Sequence, residues 1–203
     1  MTAWTNGTTS WTFDNANRLT ALTAPNGTIT FGYDDANRRT SRVLTGTGTW
    51  TYSYDAANRL TSTTNPYSET TTTSFDVINR PTQVTAGNSS LTLYGYDSLG
   101  HTNDVWHKTS GGTTLGRYQT TWDAAGNVTQ RADNDGSTTT FGYDNANQIT
   151  SEARTGGSNY TITYSYDSNG NRLTKVLNAT TGSVSASFSH SDRFASRRLV
   201  AVR

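Results

Sequence analysis

Cysteine is absent from all 203 residues, so neither a disulfide framework nor thiolate chemistry is available, and no redox compartment is indicated. An excess of charge of one sign is missing too: 16 Lys and Arg stand against 15 Asp and Glu, a formal net charge of +1, with the signs mixed along the chain. A nucleic-acid surface normally shows a clustered basic face, so nucleic acid is not an expected partner. Apolar residues make up only 32%, enough for a thin core. Leu, Glu and Lys, material of long helices, are scarce. No segment approaches the roughly 20 apolar residues that cross a bilayer as a helix. The opening MTAWTNGTTS has no basic region followed by an apolar run, so this chain shows no signal peptide. His101, His107 and His190 lie far apart, and no GxSxG elbow gives any serine a nucleophile's setting. A non-enzymatic chain without cofactor or metal is expected.

Thr is what the chain has in quantity, 41 residues, with abundant Gly and Asn. Thr, Tyr and Trp favour pleated sheet, so the composition predicts an all-β fold. FGYDDANRRT at residues 31–40 returns as FGYDNANQIT at residues 141–150, and a search for further copies finds eight. Each has an aromatic residue, then Asp, two variable positions, Asn or Gly, usually a polar or basic residue, and soon a Thr. The aromatic–Asp pairs are Phe13–Asp14, Tyr33–Asp34, Tyr54–Asp55, Phe75–Asp76, Tyr96–Asp97, Trp122–Asp123, Tyr143–Asp144 and Tyr166–Asp167. Successive aspartates are 20, 21, 21, 21, 26, 21 and 23 residues apart, which places an insertion at residues 101–118.

Residues 18–34, RLTALTAPNGTITFGYD, read as one hairpin: two alternating stretches around the turn chemistry of Ala24-Pro25-Asn26-Gly27. Asn26-Gly27 predicts a type I′ turn, in which both residues take positive φ. Asn65-Pro66-Tyr67-Ser68 and Asp133-Asn134-Asp135-Gly136 are expected to turn other copies. The repeated motif closes the opposite end, its Asp accepting a hydrogen bond from the backbone two residues on and its Asn or Gly taking αL geometry. Phe31 and Tyr33, Tyr52 and Tyr54, Phe141 and Tyr143, and Tyr164 and Tyr166 are each two apart, hence on one face, which predicts a stripe of stacked rings across the sheet. Gly32, Ser53, Gly95, Gly142 and Ser165 would point the other way, leaving room for a second layer or a close backbone. One hairpin is marginal alone, so stacking of copies must supply stability.

On these residues, from about Phe13 to Thr174, the sequence resembles the RHS or YD-repeat family. The resemblance implies a continuous curved antiparallel sheet of hairpins spiralling into a hollow shell, as in bacterial polymorphic toxins, insecticidal toxin complexes and teneurins. In bacterial members the shell encloses a C-terminal toxin. It also implies that the aromatic–Asp pairs are architectural rather than catalytic, and that the full-length context is secreted or at the cell surface. The chain departs from the family in ending at SFSHSDRFASRRLVAVR, with neither the plug segment of the DPxGL kind nor a cargo. Eight copies of two strands about 4.8 Å apart give roughly 77 Å of sheet. Closed into a ring, that has a radius of about 12 Å, below the ~13 Å radius of gyration of a 100-residue domain. The expectation is therefore a partial shell: an N-terminal edge at 1–12, the array at 13–178, and a degenerate last repeat or frayed end at 179–203. Its partners would be the remaining shell and a toxin or effector domain, with self-association through exposed edge strands.

Turn formation accounts for the other candidate chemistries. Asp133-Asn-Asp135-Gly136 and Asp167-Ser-Asn169-Gly-Asn171 have alternating oxygens, but twelve-residue counting from Asp167 reaches Asn178 rather than an acidic ligand, so hairpin turns account for both. The many repeated aspartates lack the one differentiated pair that a glycosidase needs. The sequons at Asn6, Asn26, Asn88, Asn127, Asn159 and Asn178 follow from abundant Thr. Segment 101–118, with Trp106 and His107, reads as a longer hairpin excursion that can form a contact site. The alternative function is a carbohydrate-binding or adhesion module, with Phe31, Tyr52, Tyr54 and Tyr164 as candidate glycan contacts stacking on sugar faces.

Overall fold

A computed structural model describes residues 8–179 and the backbone of 182–187. The first residues of the expected N-terminal edge, and Phe188 to Val202 of the expected degenerate repeat, lie outside the described residues. Contacts divide the chain into two compact units, Met1–Leu93 with Lys108–Thr113, and Tyr94–His107 with Thr114–Arg203. The described residues contain no helix. The all-β fold of tandem antiparallel hairpins expected from composition and period is what is found.

The strands are β1 (Ser10–Phe13), β2 (Leu19–Ala24), β3 (Gly27–Tyr33), β4 (Arg39–Leu44), β5 (Gly48–Tyr54), β6 (Leu60–Thr64), β7 (Thr70–Phe75), β8 (Pro81–Thr85) and β9 (Leu91–Tyr96). They continue as β10 (Thr102–Lys108), β11 (Thr114–Trp122), β12 (Val128–Asp133), β13 (Thr138–Tyr143), β14 (Ile149–Thr155), β15 (Tyr160–Tyr166), β16 (Arg172–Ala179) and β17 (Gly182–Ser187). In the first unit β1 to β9 pair antiparallel in chain order. In the second, β11 to β17 do the same.

Register is fixed at the motif end of each hairpin. With the motif Asp as position 0, residue +7 opposes residue −4 of the next copy in Ala21↔Thr30, Ser41↔Thr51, Ser62↔Thr72, Gln83↔Leu93, Gln130↔Thr140 and Ser151↔Thr163. Across the motif turn itself, −1 opposes +5 and −2 opposes +7, so the residue at +6 is a bulge, as at Thr20, Thr40, Thr61 and Thr129. A bulged residue leaves its neighbour's ladder groups unmatched. The Thr hydroxyl repairs this locally, donating to the −2 carbonyl from Thr20 to Thr12 at 3.1 Å, Thr61 to Ser53 at 3.2 Å and Thr129 to Thr121 at 3.2 Å. The Thr that recurs at +6 is therefore a bulge residue.

Four distal loops close like the motif turns, with the first N–H donating to the fifth carbonyl: Asn65 to Glu69, Ala86 to Ser90, Thr109 to Thr113 and Asp133 to Ser137. The Ala24–Gly27 end differs from expectation. Ala24 pairs with Gly27, so Pro25 and Asn26 form the loop. Pro locks φ near −65°, and of the expected pair only Gly27 has positive φ, at 139°, so the turn is not type I′.

One face of the sheet is aromatic and half-buried, the other rich in Ser and Thr and exposed. Along β5, Trp50, Tyr52 and Tyr54 alternate with exposed Thr49, Thr51 and Ser53, and along β15 Tyr160, Ile162, Tyr164 and Tyr166 alternate with exposed Thr161, Thr163 and Ser165. Ile162, 9% exposed, is the buried apolar side chain among the described residues; Ser137 and Thr139 are the buried polar ones. The small residues give room to the neighbouring strand. A Cβ on Gly32 would collide with the Ser41 hydroxyl, and one on Gly142 would lie 2.5 Å from that of Ser151, so each glycine admits a cross-strand hydroxyl.

With so thin a core, apolar truncation should cost little except where a side chain is enclosed. Ile162→Ala is expected to destabilise by about 2 kcal/mol, the low end for such a change because the site is partly open. Val77→Ala, at a residue 98% exposed, should change stability by less than about 0.5 kcal/mol. Urea midpoints of the two variants check this.

Candidate functional site

The repeated motif is built from the aspartate outward. In Asp14, Asp34, Asp55, Asp76, Asp97, Asp123, Asp144 and Asp167, Oδ1 accepts the backbone N–H of residues +2 and +4 at 2.8–3.0 Å. The +3 residue needs positive φ, and Asn17, Asn37, Asn58, Asn79 and Asn147 supply it at 58–70°, Gly100, Gly126 and Gly170 at 81–92°. Asn tolerates this region because its short amide bonds locally; Gly has no Cβ to clash.

The residue at +4 links one turn to the next. Nε of Arg18, Arg38, Arg59 and Arg80 donates to Oδ2 of its own Asp at 2.7 Å. Nη1 then crosses to the following copy: Arg18 to the Asp34 carbonyl at 3.1 Å and Asn37 Oδ1 at 2.8 Å, Arg38 to Asp55 at 3.0 Å and Asn58 at 2.9 Å, Arg59 to Asp76 and Asn79, both at 3.0 Å. The guanidinium also lies over the next copy's motif ring, Arg18 on Tyr33 and Arg38 on Tyr54 at 4.9 Å, Arg59 on Phe75 at 4.8 Å. Sequence reasoning assigned this position no role. The recurrence of Arg four residues after Asp, with Asn at the following +3, was the available signal.

The ring at −1 ties the same two copies. Its polar tip donates to the +5 carbonyl of the preceding copy, Tyr33 to Leu19 at 2.9 Å, Tyr54 to Arg39 at 3.0 Å, Trp122 Nε1 to Thr102 at 3.1 Å, Tyr143 to Val128 at 2.9 Å and Tyr166 to Ile149 at 2.8 Å. Phe13 and Phe75 have no such tip. Phe13 is 54% exposed on β1, and Tyr96 ends β9.

In the second unit His, Asn and Gln take the +4 position. His101 Nδ1 lies 2.9 Å from Asp97 Oδ2, with its ring stacked on Trp122 at 4.9 Å. Asn127 Nδ2 donates to Asp123 Oδ2 at 3.0 Å and to Asn147 Oδ1 at 2.9 Å, a shorter version of the arginine rung, and Asn171 donates to Asp167 at 2.9 Å.

The predicted stripe of stacked rings is corrected to rings interleaved with cations. Arg39 lies 5.7 Å from the Phe31 centroid and 5.2 Å from that of Tyr52, Arg38 covers Tyr54, and Arg172 and Lys175 lie 5.9 and 6.0 Å from that of Tyr164. Each ring suggested for glycan contact thus has a cation near the face on which a sugar would stack. In segment 101–118, Arg117 forks onto Asp104 at 2.6–3.2 Å and lies over Trp106 at 4.6 Å, while Trp106 Nε1 donates to Thr114 Oγ1 at 2.9 Å. Asp133 and Asp135 are neutralised by Arg131 and Arg154 at 3.0–3.2 Å, and no group of three metal-ligating residues occurs among the described residues. A shallow hollow beside them is lined by Arg154, Asn159, Tyr160 and Asn178. Its Arg154 is engaged by those aspartates, and Tyr160 donates to Glu152. None of these groups forms a nucleophile–base pair.

Residues 13–49, 33–70 and 122–158 match the family model described as RHS Repeat. The chain carries RHS repeats. Solved structures agree on the fold: the TcdB2-TccC3-Cdc42 structure is 18% identical with a TM-score of 0.69, covering 90% of this chain and 11% of that one. The TcdB2-TccC3 structure without its hypervariable C-terminal region gives 18% and 0.68, covering 94% and 11%, and the Photorhabdus luminescens Tc holotoxin pore with TccC3-D651A gives 17% and 0.67, covering 87% and 10%. The RHS chain thus spans about a tenth of these neighbours. No curated protein matches at the sequence level.

The turns set the acid response. Amide donation from the +4 residue is the largest cause holding Asp14, Asp34, Asp55, Asp76 and Asp123 below their usual 3.8, with the +4 side chain adding to it against partial desolvation. A depressed carboxylate contributes stability above its unfolded pKa and loses it as pH falls through the folded value. Circular dichroism should therefore be flat from pH 7 to about 5, with sheet signal lost only below about pH 4.

Proposed function

We propose that this chain is a stretch of RHS shell wall with no catalytic role, and that in its parent protein the wall encloses and shields a C-terminal toxin or effector domain. The observation that carries the reading is the rung from one turn to the next, in which Arg18, Arg38, Arg59 and Asn127 reach the following copy's Asn. It fixes one copy against its neighbour without calling on a packed interior, so a wall can extend by adding copies. The same side chains are spent on architecture, which leaves the aspartates unavailable as a catalytic pair. The similarity to Tc toxin structures supports the shell reading, and the partners proposed with it are further wall segments and the passenger. The context proposed is extracellular or cell-surface in the full-length protein.

Shielding makes a concrete demand of the parent protein. Limited proteolysis should leave the C-terminal domain intact while the rungs hold. It should expose that domain when Arg38 and Arg59 are both changed to Ala. Equal protection in the two proteins, or cleavage of the passenger at the same rate in both, would remove the reading.

A further inference from the structure

On β4, Arg39 and Arg42 are three residues apart, which in a regular strand would place them on opposite faces. The bulge at Thr40 alters this. Arg39 opposes Tyr33 and Arg42 opposes Phe31, two residues that share the aromatic face of β3, so both arginines join that face. The neighbouring strand continues the row, with Trp50 opposite Arg42.

The two guanidiniums lie against aromatic rings. Arg42 lies 4.0 Å from the Trp50 centroid, and Arg39 between Phe31 and Tyr52 at 5.7 and 5.2 Å. The first unit's ion pairs, Asp14–Arg18, Asp34–Arg38, Asp55–Arg59 and Asp76–Arg80, use other arginines. Neither Arg39 nor Arg42 has a carboxylate partner among the described residues, and Arg42 Nε is enclosed without an acceptor. A cation stacked on a ring keeps its terminal pair of Nη groups, in plane, for a bidentate oxyanion. The face is therefore an uncompensated cationic strip with a built-in spacing.

We infer that this strip binds an extended acidic peptide segment, with carboxylates at alternate residues on Arg39 and Arg42. The spacing selects the partner. The arginines stand two pairing positions apart along the strand, about 6.8 Å, the distance between same-side residues i and i+2 of an extended chain. Charge complementarity supplies the attraction, and Trp50 and Tyr52 flank the forks with apolar surface. The inference rests on this face and not on the shell reading. Where the shell reading holds, the passenger is the source of such a segment, but the measurement below succeeds or fails without one.

The test titrates the full 203-residue chain with a capped hexapeptide alternating Glu and Thr, followed by calorimetry and by the arginine Nε–H resonances. Binding should weaken as salt rises, and by about tenfold for the peptide with Gln in place of Glu. Arg39→Gln and Arg42→Gln should each weaken it about as much, with both Nε–H resonances moving in the parent chain. Should either Gln variant fail to fold, Arg39→Lys and Arg42→Lys keep the charge and lose the fork. They should weaken binding while preserving its salt dependence. Equal binding of the Gln peptide, or indifference to these substitutions, would overturn the assignment. So would tighter binding of a sulfated heparin hexasaccharide or of a thymidine hexanucleotide than of the Glu peptide.

Discussion

The structure depends on one constraint, that a motif turn is bonded within itself and, through Arg18, Arg38, Arg59 and Asn127, to the turn after it. The aspartate satisfies the backbone of its own loop with one oxygen and holds the +4 side chain with the other. That side chain then bonds the next loop. Because the same atoms serve both purposes, the shape of one turn and the pitch to the next cannot vary independently. Copies with distal loops of different make, Pro25–Asn26 in one and Asn65–Glu69 in another, keep a common register at the motif end.

A sheet assembled this way does not require a packed interior, and little of one is found. With 32% apolar residues, the chain stabilises its rings by placing guanidiniums over them and by giving their polar tips a backbone carbonyl. Cation–ring contacts of this kind contribute about 0.5–1 kcal/mol at exposed sites, small singly and repeated along the array. The two units differ in the chemistry of the rung. Arg and Asn dominate the first; His, Asn and Gln serve the second, where +3 is Gly in three of four copies and offers no side-chain acceptor. The first unit's rungs thus have guanidinium donors, whereas the second's Asn127 to Asn147 rung joins two amides.

Much of this was legible in the sequence because the repeat reports local geometry. A period near 21 gave the hairpin, and Asp followed three residues later by Asn or Gly gave an Asx turn with an αL residue. Alternation placed Phe31 with Tyr33 and Tyr52 with Tyr54. What could not be read depends on groups about 20 residues apart or on a slip in register. The Arg18 reach to Asn37 belongs to two copies at once, and no single copy reveals it. The +6 bulge cancels the simple alternation rule, which is why Arg39 and Arg42 share a face that their spacing denies. Ala86 and Thr109 open distal loops of motif-like closure with no Asp to mark them. Asn26-Gly27 misled because the preceding Pro25 moved the turn back by one residue.

The account rests on the rung as an energetic link between copies, and a double-mutant cycle on Arg38 and Asn58 measures it most directly. Arg38→Ala removes the donor, and Asn58→Gly removes the acceptor while keeping the positive φ of 62° accessible. The account predicts that the two losses are non-additive, with a coupling beyond the roughly 0.5 kcal/mol seen between independent sites. Strict additivity, with the double variant losing the sum of the single losses, would show that the Arg38–Asn58 bond does not couple the two turns and would contradict the account.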